Sequence, residues 1–168
     1  MDASVTQALN PDAVIEGSCA CGRIKYAGSK MPTSMTNCHC RQCQKLAGAP
    51  YLTWAAVERA SLTWTSSPKL LKLSNMAERS FCLDCGSSMT MQYYLQPQRV
   101  SIAAGTIDRS TATLPQPKEH IFLAEKAPWF KLPDDGLARF EEFDPPFQSM
   151  LETWKRENSC DGCGPIVY

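Results

Sequence analysis

Seven of the nine cysteines in this chain fall into three short clusters: Cys19-Ala-Cys21, Cys38-His39-Cys40-Arg41-Gln42-Cys43 and Cys82-Leu-Asp-Cys85-Gly86. Thiolates at such spacing converge on one metal ion, and zinc is the ion that sets of this kind hold. A closed structural zinc site takes four protein ligands, whereas a catalytic site keeps three and an open position. Seven thiolates divide into four plus three. The sequence therefore predicts two zinc ions per chain, one structural and one catalytic.

Cys82-Leu-Asp-Cys85-Gly86 has the form of a zinc knuckle, with Gly86 letting the backbone reverse behind two thiols. A distant paired cluster can close one four-thiolate site with it and clip two parts of the fold together. The middle cluster supplies three thiols within six residues. His39 could turn inward as its fourth ligand, but in an extended segment it points away from its cysteine neighbours, which leaves the position open. Three thiolates around a divalent ion leave one negative charge, a poor setting for activating water. The same ion holds a substrate thiolate well and lowers its pKa. The inferred chemistry is thiol activation.

The elements that must position these thiols are mostly strands. Arg23–Tyr26, Tyr51–Val57, Ser61–Thr65, Lys69–Leu73, Ser88–Tyr94 and Arg99–Ala103 alternate with period two and are separated by Gly, Pro, Ser and Asn, the rhythm of a mainly β protein. Trp54, Trp64, Met91 and Tyr93 read as core packing. After Pro145-Pro146, Phe147, Met150, Leu151 and Trp154 recur at helical spacing and predict one C-terminal helix whose apolar face docks on the sheet. The expected organisation is a flexible arm over 1–15, a zinc-binding β domain over 16–143, and a helix with a Cys-x-x-Cys tail over 144–168.

With 43% apolar and 20% charged residues, the composition is that of a globular protein able to build a core. Seventeen basic and seventeen acidic residues balance, so the footprint for nucleic-acid binding is missing. No apolar run reaches membrane-spanning length and the start has no signal-like segment, which predicts a cytoplasmic protein with reduced thiols.

Together, Gly17-Ser-Cys19-Ala-Cys21-Gly22, Cys38-His-Cys40-Arg-Gln-Cys43-Gln-Lys45-Leu-Ala-Gly48, Arg79-Ser-Phe81-Cys82-Leu-Asp-Cys85-Gly86-Ser87, Gly105-Thr-Ile-Asp108 and His120 to Trp129 resemble the glutathione-dependent formaldehyde-activating enzyme and centromere protein V family. The resemblance covers roughly residues 16–143. It implies a mainly β "β-tent" fold of short antiparallel sheets, with structural zinc on Cys19, Cys21, Cys82 and Cys85 and catalytic zinc on Cys38, Cys40 and Cys43. The implied activity is a carbon-sulfur lyase type, joining a small thiol such as glutathione to a reactive carbonyl. His120, Lys45 and Arg41 are the candidate proton donors or carboxylate anchors, and Trp129 reads as a core residue, with a pocket wall as the alternative.

Two other classes stay open: a lyase, dehydratase or cyclase acting on a larger metabolite, and a non-enzymatic chromatin or cytoskeletal module. The tail motif Cys160-Asp-Gly-Cys163-Gly164 is a departure from the family pattern. It could cap the open metal, bridge two chains, form a reversible disulfide, or be a solvated end.

Overall fold

The period-two segments become strands in the computed structural model, which describes residues 11–158. The arm through residue 10 and the tail cysteines Cys160 and Cys163 lie outside the described residues. Twelve strands among the described residues form two sheets. The smaller sheet runs, neighbour to neighbour, through Ile107–Ser110 (β10), Ile15–Ser18 (β1), Lys25–Gly28 (β2) and Leu62–Trp64 (β5). The larger runs through Ala138–Arg139 (β12), Pro117–Ile121 (β11), Ser34–Cys38 (β3), Leu52–Glu58 (β4), Arg99–Ala103 (β9), Ser88–Tyr93 (β8), Ala77–Phe81 (β7) and Lys69–Lys72 (β6).

Pairing is antiparallel apart from β11, which runs parallel to both β3 and β12. That register sets Ile121 opposite Cys38 and His120 opposite Asn37. It brings the motif around residue 120 to the end of β3 where the middle cysteine cluster begins.

Two apolar clusters fill the interior. Ile15, Tyr26, Val57, Met89 and Ile102 are fully buried in the first, together with Cys19 and Cys82. The second gathers Cys38, Cys43, Trp54, Met91 and Ile121, with Tyr93, Phe122, Phe140 and Phe143 packed against it. Each core thus contains thiols of one cysteine set.

A short helix not foreseen from the sequence, α1 (Arg41–Ala47), follows β3 directly. At seven residues it is too short to show a helical apolar period. Cys40 caps its start, its sulfur accepting from the Cys43 N–H at 3.4 Å, and Gly48 ends it in the left-handed region at φ 60°. The C-terminal helix α2 (Pro145–Glu157) is longer than the apolar period suggested. Asp144 caps it by accepting from the Phe147 N–H at 3.2 Å, and proline occupies its first turn where no donor is lost. It buries Leu151 and lays Phe147 on Tyr93 with ring centroids 4.8 Å apart.

Gly17 sits where the register of β1 against β10 shifts. A Cβ there would lie 2.2 Å from the Thr106 carbonyl oxygen and 2.3 Å from the buried Tyr26 ring, whose hydroxyl pairs with Thr106 Oγ1 at 3.0 Å. Backbone must move to admit even a methyl group. Gly17→Ala is expected to cost about 1–3 kcal/mol, lowering the thermal midpoint by roughly 2–12 °C for a chain of this size. Differential scanning calorimetry checks this, and an unchanged midpoint would contradict the packing described.

Candidate functional site

Cys19 and Cys21 lie in the turn from β1 to β2, and Cys82 and Cys85 in the turn from β7 to β8. The first turn belongs to the small sheet and the second to the large one. Their four sulfurs converge to within 4.8 Å of one another. Tetrahedral thiolates about 2.3 Å from a zinc ion stand about 3.8 Å apart. The Sγ distances of 3.5 Å for Cys19 to Cys21 and 3.9 Å for Cys21 to Cys82 fit that geometry. The Ser87 hydroxyl at 3.2 Å holds the Cys85 thiol down to about 5, in the thiolate form that a metal needs. Around the cluster the Ala20 N–H donates to Ser87 Oγ at 3.0 Å, and Arg23 reaches Asp84 at 2.5 Å. The two turns are therefore held together around the thiols.

The end of β3 and the first turn of α1 bring Cys38, Cys40 and Cys43 into a second cluster, again within 4.8 Å. Three side chains from six residues meet because an extended strand hands over to a helix at Cys40. Cys43 is fully buried. Trp54 Nε1 donates to its sulfur at 3.4 Å and Arg79 lies 3.7 Å away. Hydrogen bonds from Cys38 and Cys40, then the Arg79 charge and the indole, hold the Cys43 thiol well below its ordinary range. Three converging sulfurs, one of them already biased to thiolate, form a donor set that fits zinc.

Arg79 did not stand out in the sequence. It projects inward from β7, is 8% exposed, and rests over the Trp54 ring at 5.6 Å. Buried arginine needs a counter-charge. The thiol cluster provides it, and an arginine in strand alternation just before the Cys82 knuckle is the signal that marks it.

Cys38 and Cys40 open onto a cavity of about 490 Å³. Arg41 and Lys45 line it, as do Met91 and Tyr93, which sequence reasoning had put into the core. Burial pushes the Tyr93 phenol well above its ordinary range, so it stands in the wall as a neutral hydroxyl. Trp129 faces outward, 72% exposed, and does not line the cavity.

His120 is also absent from the lining; it is buried against His39. His39 Nε2 and His120 Nδ1 are 2.8 Å apart, and His120 Nε2 is 2.9 Å from Asp135 Oδ2. The carboxylate only accepts, so His120 donates to it from Nε2 and meets His39 through Nδ1. Burial, reinforced by His120, pulls His39 down to about 4 and keeps it neutral. The main chain locks the pair further: the His39 N–H donates to the Ile121 carbonyl at 2.9 Å, and Gln44 Nε2 donates to the His39 carbonyl. His39 is not part of the thiol cluster, which leaves the three-thiol set without a fourth protein ligand among the described residues. No described helix is long and apolar enough to cross a membrane.

The chain belongs to the glutathione-dependent formaldehyde-activating enzyme family, whose pattern residues 14–125 match. A Halomonas elongata protein, provisionally named as a glutathione-dependent formaldehyde-activating enzyme, is 31% identical over 130 residues, 71% of this chain and 81% of its own. An uncharacterized lyase of Schizosaccharomyces pombe is 26% identical over 78 residues, 46% of this chain and 57% of that protein. Among solved structures, a Rhodobacter sphaeroides protein aligns with a TM-score of 0.49 at 14% identity, covering 74% of this chain and 98% of the other.

The two clusters should respond differently to mutation. Cys82→Ala removes a buried thiol from the four-sulfur set between the sheets, and structural metal binding worth about 10 kcal/mol or more matches a domain's net stability of about 5–15 kcal/mol. Unfolded or insoluble protein is expected. Cys40→Ala removes a thiol of the three-sulfur set and the cap of α1, and should leave a folded protein with less bound metal. Circular dichroism and elemental analysis on both variants check this; equal collapse would mean that the roles are assigned wrongly.

Proposed function

From this family membership we propose that the protein is a zinc-dependent, carbon-sulfur lyase-type enzyme that adds a glutathione-like thiol to a reactive carbonyl and releases it in reverse. The observation that carries the reading is the Cys38, Cys40 and Cys43 set opening onto a cavity with no fourth protein ligand among the described residues. In this reading both cysteine sets hold zinc. The second zinc, when bound, supplies an acceptor position for a substrate sulfur and lowers that sulfur's pKa.

The chain's own residues do the rest. A substrate thiolate adds negative charge to a three-thiolate centre, and Arg79, held 3.7 Å from Cys43, offsets it in a setting where water is scarce. Arg41 and Lys45 stand at the cavity wall beside Cys40 and can bind substrate carboxylates. Sulfur attacks the carbonyl carbon, a C–S bond forms, and the C=O π pair moves to oxygen. The proton lost by the thiol is returned there as O–H. Tyr93, the neutral hydroxyl in the wall, is the group that hydrogen-bonds this oxygen and passes the proton. His120 acts from a distance, fixing His39 and with it the turn on which Cys38 and Cys40 are carried.

Exchange of 13C-formaldehyde with glutathione, followed by NMR at catalytic concentrations of zinc-loaded protein, tests the reading. Faster exchange is expected, abolished in Cys40→Ala. Tyr93→Phe should lower turnover about 100-fold while leaving thiol affinity within a factor of about two, because the lost hydroxyl serves the oxygen and not the sulfur. A Tyr93→Phe protein of undiminished turnover would remove that residue from the chemistry. Failure of the wild type to bind any small thiol would overturn the reading itself.

A further inference from the structure

The cavity is more apolar and larger than a one-carbon carbonyl requires. Its apolar wall includes Leu73, Met76, Met91, Tyr93, Phe122 and Phe143, and Arg41, Gln42, Lys45, Ser74, Arg79 and Glu125 add polar and charged groups. Water left against the apolar part of this wall is unfavourable. A volume of about 490 Å³ lies in the range of sites that enclose a drug-sized ligand.

How the wall is built carries the point further. Phe122 has φ 60°, the one positive φ outside glycine among the described residues. For an aromatic residue this is a strained backbone, of the kind that persists where surrounding structure holds it in place. The surroundings here are identifiable. The N–H groups of Phe122, Leu123 and Ala124 donate to the carbonyls of Glu142, Phe140 and Glu141 at 3.0, 3.1 and 3.2 Å. The Phe122 ring meets Phe143 edge-on at 4.6 Å, and Phe143 and Tyr93 both pack on Phe147 of α2. Phe143 and Phe147 lie beyond residue 125, where the family match ends. The C-terminal segment of this chain thus supplies the far wall of the cavity, and strain is accepted to seat Phe122 in it.

We propose that the natural substrate adduct carries an apolar, ring-sized body within a few bonds of the reacting sulfur, seated against Phe122, Phe143 and Met91. The proposal rests on the thiol-to-carbonyl reading above and deepens it: the same addition occurs, with the ring contributed by either the thiol or the carbonyl partner. Atoms balance as before, R–SH plus R′–CHO giving R–S–CH(OH)–R′ with no oxidant or reductant.

Isothermal titration calorimetry of zinc-loaded, full-length protein with 2-phenylethanethiol and 2-mercaptoethanol tests it. The phenyl probe is expected to bind at least about tenfold more tightly, as burial of a ring face implies. Phe143→Ala should shrink that preference several-fold and leave 2-mercaptoethanol affinity within about twofold. Leu73→Ala, in a half-buried loop position away from the helix packing, should act in the same direction and serves if Phe143→Ala does not fold. Two turnover arms, glutathione with phenylacetaldehyde and 2-phenylethanethiol with formaldehyde, report which partner brings the ring. Equal affinity for the two thiols overturns the proposal while leaving the thiol chemistry standing. A phenyl preference indifferent to both wall variants overturns the wall assignment, and absence of binding by either thiol takes down the proposal together with the reading beneath it.

Discussion

The convergence of Cys19 and Cys21 with Cys82 and Cys85 is the constraint on which the rest of the molecule depends. One pair belongs to the turn between two strands of the small sheet, the other to the turn between two strands of the large sheet, and their sulfurs lie within 4.8 Å. Among the described residues no strand pairing joins the two sheets. Beyond the short chain connections from β4 to β5 and from β9 to β10, their alignment rests on side-chain packing and on this cluster, with the buried Cys19 and Cys82 forming part of the same core as Tyr26, Met89 and Ile102. A metal held there links elements more than sixty positions apart in sequence, the kind of long closure that is entropically costly to achieve by packing alone. It also fixes β7, and so the inward side chain of Arg79.

Arg79 is where the four-thiol cluster and the three-thiol cluster meet. The residue stands on the strand that leads into the Cys82 knuckle, and its guanidinium ends beside Cys43 over the Trp54 ring. A three-thiol set with a divalent ion is anionic, and an incoming thiolate makes it more so. A buried arginine in contact is the means by which this charge is tolerated inside a protein. The charge balance of the reactive site therefore depends on a strand whose far end is anchored by the other four thiols.

What could be read from the sequence was local. The thiol groups are legible because ligand type and spacing are chemical facts of a few residues, and the segments around Trp54, Met91 and Ile102 because alternation needs only a strand's length. Features made by distant parts were not legible. Helix α1 is one turn shorter than its period could reveal and is capped by a thiol rather than by a hydroxyl or carboxylate. Met91 and Tyr93 alternate as core residues do, and nothing local says that a cavity replaces the next packing layer. The strained Phe122 is held by the return of residues 140–142 along the turn after β11, a contact without a sequence signature. His120 was singled out through its motif, and the parallel pairing of β11 with β3, which puts its ring on His39 rather than in the cavity lining, is a matter of topology.

The central claim is that the seven described thiols form one closed centre and one centre open to a substrate sulfur. Cobalt(II) substitution followed by optical titration tests it most directly, since sulfur-to-cobalt charge-transfer absorption counts thiolate ligands without any assumption about the substrate. The account predicts two cobalt ions per chain, with added 2-mercaptoethanol raising the charge-transfer intensity of one of them, and no such rise in Cys40→Ala. A spectrum insensitive to thiol in the wild type, or one that rises equally after Cys40→Ala, would contradict it.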